Sequence, residues 1–213
     1  MDLNNYKGTG SGLSYMALSK LFEILEKLGD DINILEFGSG QSTRFLVDYK
    51  LYSKKNITID SYDNDTNYAY NNKDNHKFLN LRIKPLISCS DENFDEQIKS
   101  KIYNRDYFTI HKLPPYNDPK FWRQRNCFYD LDPNDLKPNY DLVIIDGPNG
   151  NGRNIAYLHI KNVIKKSSIV FIDDANCCDG DYNYNFITNL NYIIDVKNLY
   201  ENKKENIAIF EVL

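Results

Sequence analysis

The sequence predicts one α/β domain, built on a mostly parallel, doubly wound sheet of seven strands with helices on both faces and a C-terminal antiparallel hairpin. Short runs that are apolar throughout, such as INILEF and LVII, alternate with segments of helical spacing. Such runs are typical of parallel strands that are covered on both faces. Two β-rich runs close the chain with no helix between them, and a length of 213 residues suits a single domain.

The first half of the chain alternates helix and strand. A helix is predicted over YMALSKLFEILEKLG, with Ser14 as its N-cap and Gly29 as its C-terminal stop. The buried strand INILEF follows and ends in the turn GSG, after which STRFLVDYKLY returns to helical spacing. A second strand is expected at about residues 57–62.

The second half continues this alternation before it closes with the hairpin. LNLRIKPLIS is expected to form the third strand, YDLVIIDGP the fourth and SSIVFIDDAN the fifth, with a helix over IAYLHIKNVIKK between the last two. The runs NYIIDVKNLY and NIAIFEVL, joined by ENKKE, predict an antiparallel hairpin. The whole chain, residues 1–213, is therefore expected to form one domain.

A segment at about residues 99–135 departs from this rhythm and predicts an inserted lid or substrate loop. Its first part is rich in basic residues with interleaved aromatic residues, and it contains LPPYNDP. The basic character suggests an acceptor with negative charge, and His111 is a candidate substrate-binding residue in this lid.

Composition excludes several classes of partner. The net charge is −4 and there is no basic tail, so binding to nucleic acid is not expected. No run approaches the ~20 apolar residues of a membrane span. The four cysteines form no CxxC pattern, which favours a reduced, cytoplasmic location.

The turn after the first strand, in ILEFGSGQST, is the candidate cofactor site. Gly38 and Gly40 remove side chains where the backbone must approach a ligand, and the helix that begins near Ser42 offers N–H groups to a carboxylate. Glu36 could accept a hydrogen bond from a ligand ammonium or tie down the turn. An acid about 20 residues further on, at the end of the second strand, can bind both hydroxyls of a ribose.

These motifs resemble the class I S-adenosylmethionine-dependent methyltransferases, which have a Rossmann-like fold. The resemblance is carried by LEFGSGQSTRFL, SYDNDTNY, YDLVIIDGP, SSIVFIDDAN and the closing hairpin, and it spans roughly residues 10–213. It implies that S-adenosylmethionine is the cofactor and that Asp63 binds its ribose, with Asp60 as the alternative. The remaining cofactor-binding residues that it implies are Glu36, Gly38, Ser39, Gly40, Ser90 and Asp91.

Two other functions fit parts of the pattern. A nicotinamide cofactor also binds after the first strand of such a sheet, but its GxGxxG fingerprint requires glycine at the position where this chain has Thr43. A non-catalytic binding module on the same scaffold is the second alternative, and the intact cofactor motif argues against it.

The acceptor site is expected where the fourth and fifth strands end. Asp146, Asp173 and Asp174 follow those strands, and their mutual repulsion calls for a cation or a proton. The arrangement is similar to the metal-dependent O-methyltransferases, which implies that these three residues hold Mg²⁺, with Asp146 and Asp173 catalytic. Without a metal, Asp146 could act as general base. Arg153 is a candidate ligand for a substrate carboxylate or phosphate.

The sequence thus predicts methyl transfer from S-adenosylmethionine to a hydroxyl of a small molecule, with a sugar or glycan precursor as the favoured acceptor. The expected partner is this small molecule alone. Neither the acceptor nor the oligomeric state follows from the sequence.

Overall fold

The computed structural model describes residues 1–6, 12–67, 69–71, 74–110, 125–176, 178–179 and 182–213. Its helices are α1 (Tyr15–Lys27), α2 (Gln41–Tyr52), α3 (Asp91–Ser100), α4 (Asn154–Ile160) and α5 (Phe186–Ile193). Its strands are β1 (Asp31–Phe37), β2 (Asn56–Asp63), β3 (Leu79–Ile83), β4 (Leu86–Ser88), β5 (Thr109–Ile110), β6 (Cys127–Tyr129), β7 (Tyr140–Ile145), β8 (Ile164–Ile172), β9 (Cys178–Asp179), β10 (Tyr182–Asn183), β11 (Val196–Asn202) and β12 (Ile207–Val212).

Seven of these strands form the main sheet, in the order β11-β12-β8-β7-β1-β2-β3. Pairing is parallel from β3 through β8, whereas β12 is antiparallel to both β8 and β11. This is the doubly wound order, with one antiparallel strand inserted near an edge. The predicted fold class is therefore confirmed, including its closing hairpin.

The main sheet is covered on both faces because its central strands are apolar on both sides. In β1, Ile32 and Ile34 are buried in the core beneath α1 and α2, whereas Leu35 and Phe37 are buried in the core beneath α4 and α5. α1 begins as predicted, since Ser14 Oγ accepts a hydrogen bond from the backbone N–H of Ala17 at 3.1 Å. The sequence pattern thus gives both the sheet and the packing of its helices.

Three predicted elements differ from the structure. LNLRIKPLIS is not one strand, because Pro85 lacks a backbone donor and the chain leaves the main sheet there, so that β3 and β4 belong to different sheets. The helix predicted over IAYLHIKNVIKK ends at Ile160, and β8 already begins at Ile164. The last hairpin begins only at Val196, because the apolar residues before it belong to α5.

Two strands of the predicted lid, β5 and β6, belong to a second sheet whose central strand, β4, precedes the lid. β4 pairs antiparallel with both β5 and β6, which gives a three-stranded sheet in the order β5-β4-β6 between β3 and β7. Residues 111–124, which include His111, lie outside the described residues. In the described part of the chain, no helix has both the length and the apolar character needed to cross a membrane.

His159 of α4 is buried in the core between two aromatic rings. Its ring centroid lies 4.2 Å from that of Tyr103 and 5.6 Å from that of Phe128. Its Nε2 atom has no hydrogen-bond partner among the described residues. Burial lowers the pKa of His159 to about 4, so the imidazole is neutral in the folded protein near neutral pH.

The His159→Phe variant is expected to lose part of the acid sensitivity of the wild type. Between the ordinary pKa of about 6.5 and the folded value of about 4, the unfolded chain binds a proton that the buried imidazole does not. This difference in proton binding lowers the free energy of unfolding as pH falls, by at most ~1.4 kcal/mol per pH unit. Urea denaturation at pH 7 and pH 5 measures the slope, and equal slopes for the two proteins would contradict the expectation.

Candidate functional site

The candidate site lies at the carboxyl ends of β1, β2 and β7, where the strand order of the main sheet reverses. Open α/β sheets bind their ligands at this switch point. The loops after these strands are joined by backbone hydrogen bonds. The N–H groups of Asp146 and Gly147 donate to Phe37 O at 2.8 and 2.7 Å, and the N–H of Gly38 donates to Tyr62 O at 2.9 Å.

Two glycines form the contact between the β1 and β7 loops. Gly38 has a φ of +96°, and a Cβ atom on it would lie 2.6 Å from Gly147 N. A Cβ atom on Gly147 would lie 2.7 Å from Gly38 Cα and 2.5 Å from the hydroxyl of Tyr129. The approach of two protein backbones therefore requires glycine at position 38, and the role of Gly38 in cofactor binding stays a prediction.

Glu36 is completely buried beneath the turn that follows β1. Its Oε2 atom accepts hydrogen bonds from Thr43 Oγ1 and Ser61 Oγ, both at 2.5 Å. Its Oε1 atom is buried without a hydrogen-bond partner in the described part of the chain, and the Ser42 hydroxyl lies nearby. Burial raises the pKa of Glu36 to about 7, against the lowering effect of the surrounding hydroxyl groups.

Asp63, the last residue of β2, holds the same turn from the other side. Its Oδ2 atom accepts a hydrogen bond from Ser39 N and its Oδ1 atom one from Asp65 N, both at 2.8 Å. Burial raises the pKa of Asp63, whereas these hydrogen bonds oppose the rise. The carboxylate is 8% exposed and still has unused lone pairs, so it can accept further hydrogen bonds from a ligand.

Asp60, the alternative ribose ligand, lies three residues before the end of β2 and is almost fully buried. It accepts hydrogen bonds from Asn80 Nδ2 at 2.8 Å, Lys137 Nζ at 3.0 Å and the Tyr140 hydroxyl at 2.8 Å. Side chains three positions apart in a strand point to opposite faces. The structure therefore places Asp60 in a network separate from Asp63.

Ser39 and Gly40 close the turn onto the start of α2. Ser39 Oγ lies 2.9 Å from Thr43 Oγ1 and accepts a hydrogen bond from Tyr70 N at 3.0 Å, while Gly40 N donates to Thr43 Oγ1 at 3.0 Å. Four of the predicted cofactor residues, Glu36, Ser39, Gly40 and Asp63, are thus linked through one short hydrogen-bonded network.

The predicted adenine-facing residues Ser90 and Asp91 begin α3, with Ser90 as its N-cap. Asp91 accepts hydrogen bonds from Asn126 Nδ2 at 2.7 Å and pairs with Arg125 Nε at 2.9 Å. Asn126 in turn bonds to Asn151 in the loop after β7, with both contacts at 2.7 Å. The structure therefore connects this end of α3 to the candidate acceptor loop.

The three predicted acceptor-site acids do converge. The pKa of Asp146 is raised by burial, an effect that Arg153 opposes and the charge of Asp174 increases. The pKa of Asp173 is raised to about 8 by burial and by the charges of Asp146 and Asp174. Asp174 has a left-handed φ of 52°, and its side chain is about half exposed at 47%. Carboxyl groups from the ends of β7 and β8 thus share one acidic rim.

Arg153 is buried beneath this rim, with a relative exposure of only 2%. Its Nε atom donates to Pro148 O at 2.8 Å and its Nη1 atom to Asp173 O at 3.0 Å. Its Nη2 atom lies 3.5 Å from Asp174 Oδ2 and 4.0 Å from Asp146 Oδ1. The guanidinium predicted to bind a substrate anion is therefore engaged with the protein itself.

The structure does not support the predicted magnesium site. Within the described ranges, no group of three or more His, Cys, Asp or Glu residues could hold a metal ion. The guanidinium of Arg153 lies beside the carboxylates of Asp174 and Asp146 and contacts only the backbone oxygen of Asp173. The guanidinium of Arg153 adds one positive charge to this rim, and the raised pKa of Asp173, about 8, keeps that carboxyl group protonated near neutral pH.

Sequence reasoning missed two features of the site. Tyr129, from β6 of the inserted sheet, is 1% exposed, and its ring stacks on Phe37 with a centroid distance of 6.0 Å. Burial is the main cause that raises the pKa of Tyr129, and the charges of Asp63, Asp146 and Glu36 add to it, so its hydroxyl lies among these acids.

Gly152 packs so closely on β6 that a Cβ atom would lie 1.6 Å from Cys127 O. No local signal marks either contact, because β6 is distant in sequence from β1 and its pairing is nonlocal.

A separate surface hollow of about 610 Å³ lies at the opposite end of the sheet, and Asp31, Lys55 and Asn56 are among the residues that line it. These residues flank or begin β1 and β2 at their amino ends. Ligands of open α/β sheets bind at the carboxyl ends, so this hollow is not the candidate site.

Comparison with known proteins finds structural likeness only. No protein-family model matches the chain, and no curated protein matches it. Among solved structures, it is similar to precorrin-6y C5,15-methyltransferase from Geobacter metallireducens, with 12% identity over 99% of this chain and 96% of the other and a TM-score of 0.49. It is also similar to a SAM-dependent methyltransferase from Aquifex aeolicus, with 13% identity over 100% and 97% of the two chains and a TM-score of 0.43. The CurJ carbon methyltransferase gives 12% identity over 93% and 54%, with a TM-score of 0.47.

Proposed function

We propose that this protein binds S-adenosylmethionine and transfers its methyl group to a hydroxyl of a small molecule. The observation that carries the proposal is the convergence of Glu36, Asp63 and Asp146 at the switch point of the sheet. Asp63 and Glu36 hold the same turn through Ser39 and Thr43, and the N–H of Asp146 donates to Phe37 O beside Glu36 at 2.8 Å. This position and this polarity suit a ligand with an ammonium group, a ribose and a sulfonium.

The residues of the turn after β1 fit such a cofactor. Glu36 Oε1 is a buried acceptor with no partner among the described residues, and an ammonium group, directly or through one water, would satisfy it. Asp63 retains lone pairs for the ribose hydroxyls. The amino end of α2 presents backbone N–H groups that favour a carboxylate. These are the roles that the class I resemblance implies for the same residues.

When bound, S-adenosylmethionine supplies an electrophilic methyl group on a positively charged sulfur. The chain contributes the position and the deprotonation of the acceptor. Asp146, in the loop after β7, would accept the hydroxyl proton as the oxygen lone pair attacks the methyl carbon and the carbon–sulfur electron pair moves to sulfur. Holding two reactants in line supplies a large share of the rate enhancement in such reactions.

The acidic rim favours an acceptor that donates hydrogen bonds, such as a neutral sugar. Asp146, Asp173 and Asp174 outnumber the single buried guanidinium of Arg153. Both described arginines of the lid are paired with acids, Arg105 with Asp130 at 2.7 and 2.9 Å and Arg125 with Asp91 at 2.9 Å. The negatively charged acceptor expected from the lid stays a prediction, because residues 111–124 lie outside the described residues.

Asp63→Ala is expected to weaken the binding of S-adenosylhomocysteine by about 10–150-fold, which corresponds to ~1.5–3 kcal/mol. The change removes both the hydrogen bonds to the ribose and the contact that orders Ser39. Isothermal titration calorimetry gives the affinity, and circular dichroism checks that the variant is folded.

Asp60→Ala is the matched control, since it removes a buried carboxylate from the same strand but on the other face. It should lower the melting temperature without changing the affinity. Normal affinity of Asp63→Ala together with weakened binding by Asp60→Ala would assign the ribose to Asp60.

A wild-type protein that binds NAD but not S-adenosylhomocysteine would overturn the proposed function.

A further inference from the structure

Arg153 is held in place by backbone atoms of both loops that carry the acidic rim. Nε donates to Pro148 O at 2.8 Å, in the loop after β7, and Nη1 donates to Asp173 O at 3.0 Å, in the loop after β8. With a side chain only 3% exposed, the guanidinium has no room to turn toward solvent. Its charge is therefore a fixed part of the rim.

The remaining nitrogen is directed between the carboxylates that were predicted to bind metal. Nη2 lies 3.5 Å from Asp174 Oδ2 and 4.0 Å from Asp146 Oδ1. Magnesium binds carboxylate oxygens at ~2.0–2.1 Å, so an ion held by either of these oxygens would lie within about 6 Å of Nη2. Two fixed positive charges at that distance in a partly buried site repel each other strongly.

We propose that Arg153 is the built-in cation of the acceptor site, takes the place of a divalent metal ion there, and makes the site metal-independent. The proposal rests on the proposed function for the identity of the acceptor site. Arg153 is a positioning residue in this scheme. Its charge lies 3.5 Å from Asp174 and 4.0 Å from Asp146, and these carboxylates then face the acceptor hydroxyl without an intervening ion.

A metal-binding measurement tests the proposal without any need for turnover. Titration of the full chain with Mn²⁺, followed by electron paramagnetic resonance, should show no wild-type binding tighter than about millimolar. Arg153→Met keeps the bulk but removes the charge, and it should bind Mn²⁺ at least 10-fold more tightly. The added change Asp174→Asn should abolish this gain.

Two results would overturn the proposal. One is micromolar binding of Mn²⁺ to the wild type that Asp174→Asn removes. The other is a folded Arg153→Met variant that gains no Mn²⁺ affinity, because the guanidinium would then not be what keeps the ion out. If Arg153→Met does not fold, the wild-type titration and its Asp174→Asn control decide the question.

An assay of methyl transfer gives an independent readout. Turnover by the wild type should be unchanged in excess EDTA, and its loss with recovery on addition of Mg²⁺ would also overturn the proposal. Failure of the proposed function looks different. In that case S-adenosylhomocysteine would not bind, or no acceptor would be methylated with or without Mg²⁺, while the Mn²⁺ titration would still report on Arg153.

Discussion

Asp146→Asn is expected to lower methyl transfer by about 10²–10⁴-fold, the usual contribution of a general base, while the affinity for S-adenosylhomocysteine stays within a few-fold. The substitution keeps the shape of the side chain but removes the charge that takes the proton. It leaves the hydrogen bond from the backbone N–H of residue 146 to Phe37 O in place, so the loop geometry should persist. Transfer of a labelled methyl group and calorimetric binding measure the two quantities separately.

Asp141→Asn is the control, because it changes a carboxylate near the amino end of the same strand. Asp141 accepts a hydrogen bond from Asn33 N at 2.8 Å and pairs with Lys165 at 2.6 Å, at the opposite end of the sheet from the site. This variant should lose some stability and keep its turnover. Full activity of Asp146→Asn would contradict the placement of the acceptor site at the acidic rim.

Gly152→Ala is expected to cost stability at or above the upper end of the ~1–3 kcal/mol range for overpacked sites, and to abolish methyl transfer. The added Cβ would lie 1.6 Å from the carbonyl oxygen and 2.4 Å from the carbonyl carbon of Cys127. Both are backbone atoms of β6 and cannot move aside as a flexible side chain could. The 3₁₀ turn Asn151–Arg153 must shift, and it carries Arg153 away from the acidic rim.

Gly29→Ala is the matched control for the same chemical change. A Cβ on Gly29 meets nothing within 4 Å, and its backbone is not in the left-handed region. Urea denaturation should place this variant within about 1 kcal/mol of the wild type, because the smaller conformational freedom of alanine in the unfolded chain favours folding slightly. Equal stability of the two variants would mean that the contact between Gly152 and β6 is not rigid.

The main strands of the sheet and the turns that follow them could be predicted from the sequence because their signals are local. INILEF followed by GSG, and the apolar run before Asp146, each contain strand, turn and ligand-facing residue within one short stretch. The hairpin strand β12 was predictable for the same reason. The start of β11 was not, because residues 191–194 are apolar in a pattern that suits strand and helix alike, and packing of α5 against α4 decided it.

The candidate site was predictable only as a set of acids. Strand ends placed Glu36, Asp63 and Asp146 at one edge of the sheet, since the carboxyl ends of parallel strands meet there. The burial of Arg153 could not be predicted, because its partners at Pro148 and Asp173 are backbone oxygens with no side-chain signature. Three carboxylates predicted a metal site, whereas the guanidinium beside them became visible only in the structure.

The contact between Gly152 and Cys127 also limits how this protein could be redesigned. Insertions between the strands of an α/β domain are commonly treated as exchangeable modules that set substrate preference. Here the inserted sheet is joined to the loop after β7 by the Asn126–Asn151 pair as well as by this backbone contact. A chimera that takes residues 86–129 from another protein would therefore have to take residues 147–153 from the same protein. Among natural homologues, the two segments are expected to covary.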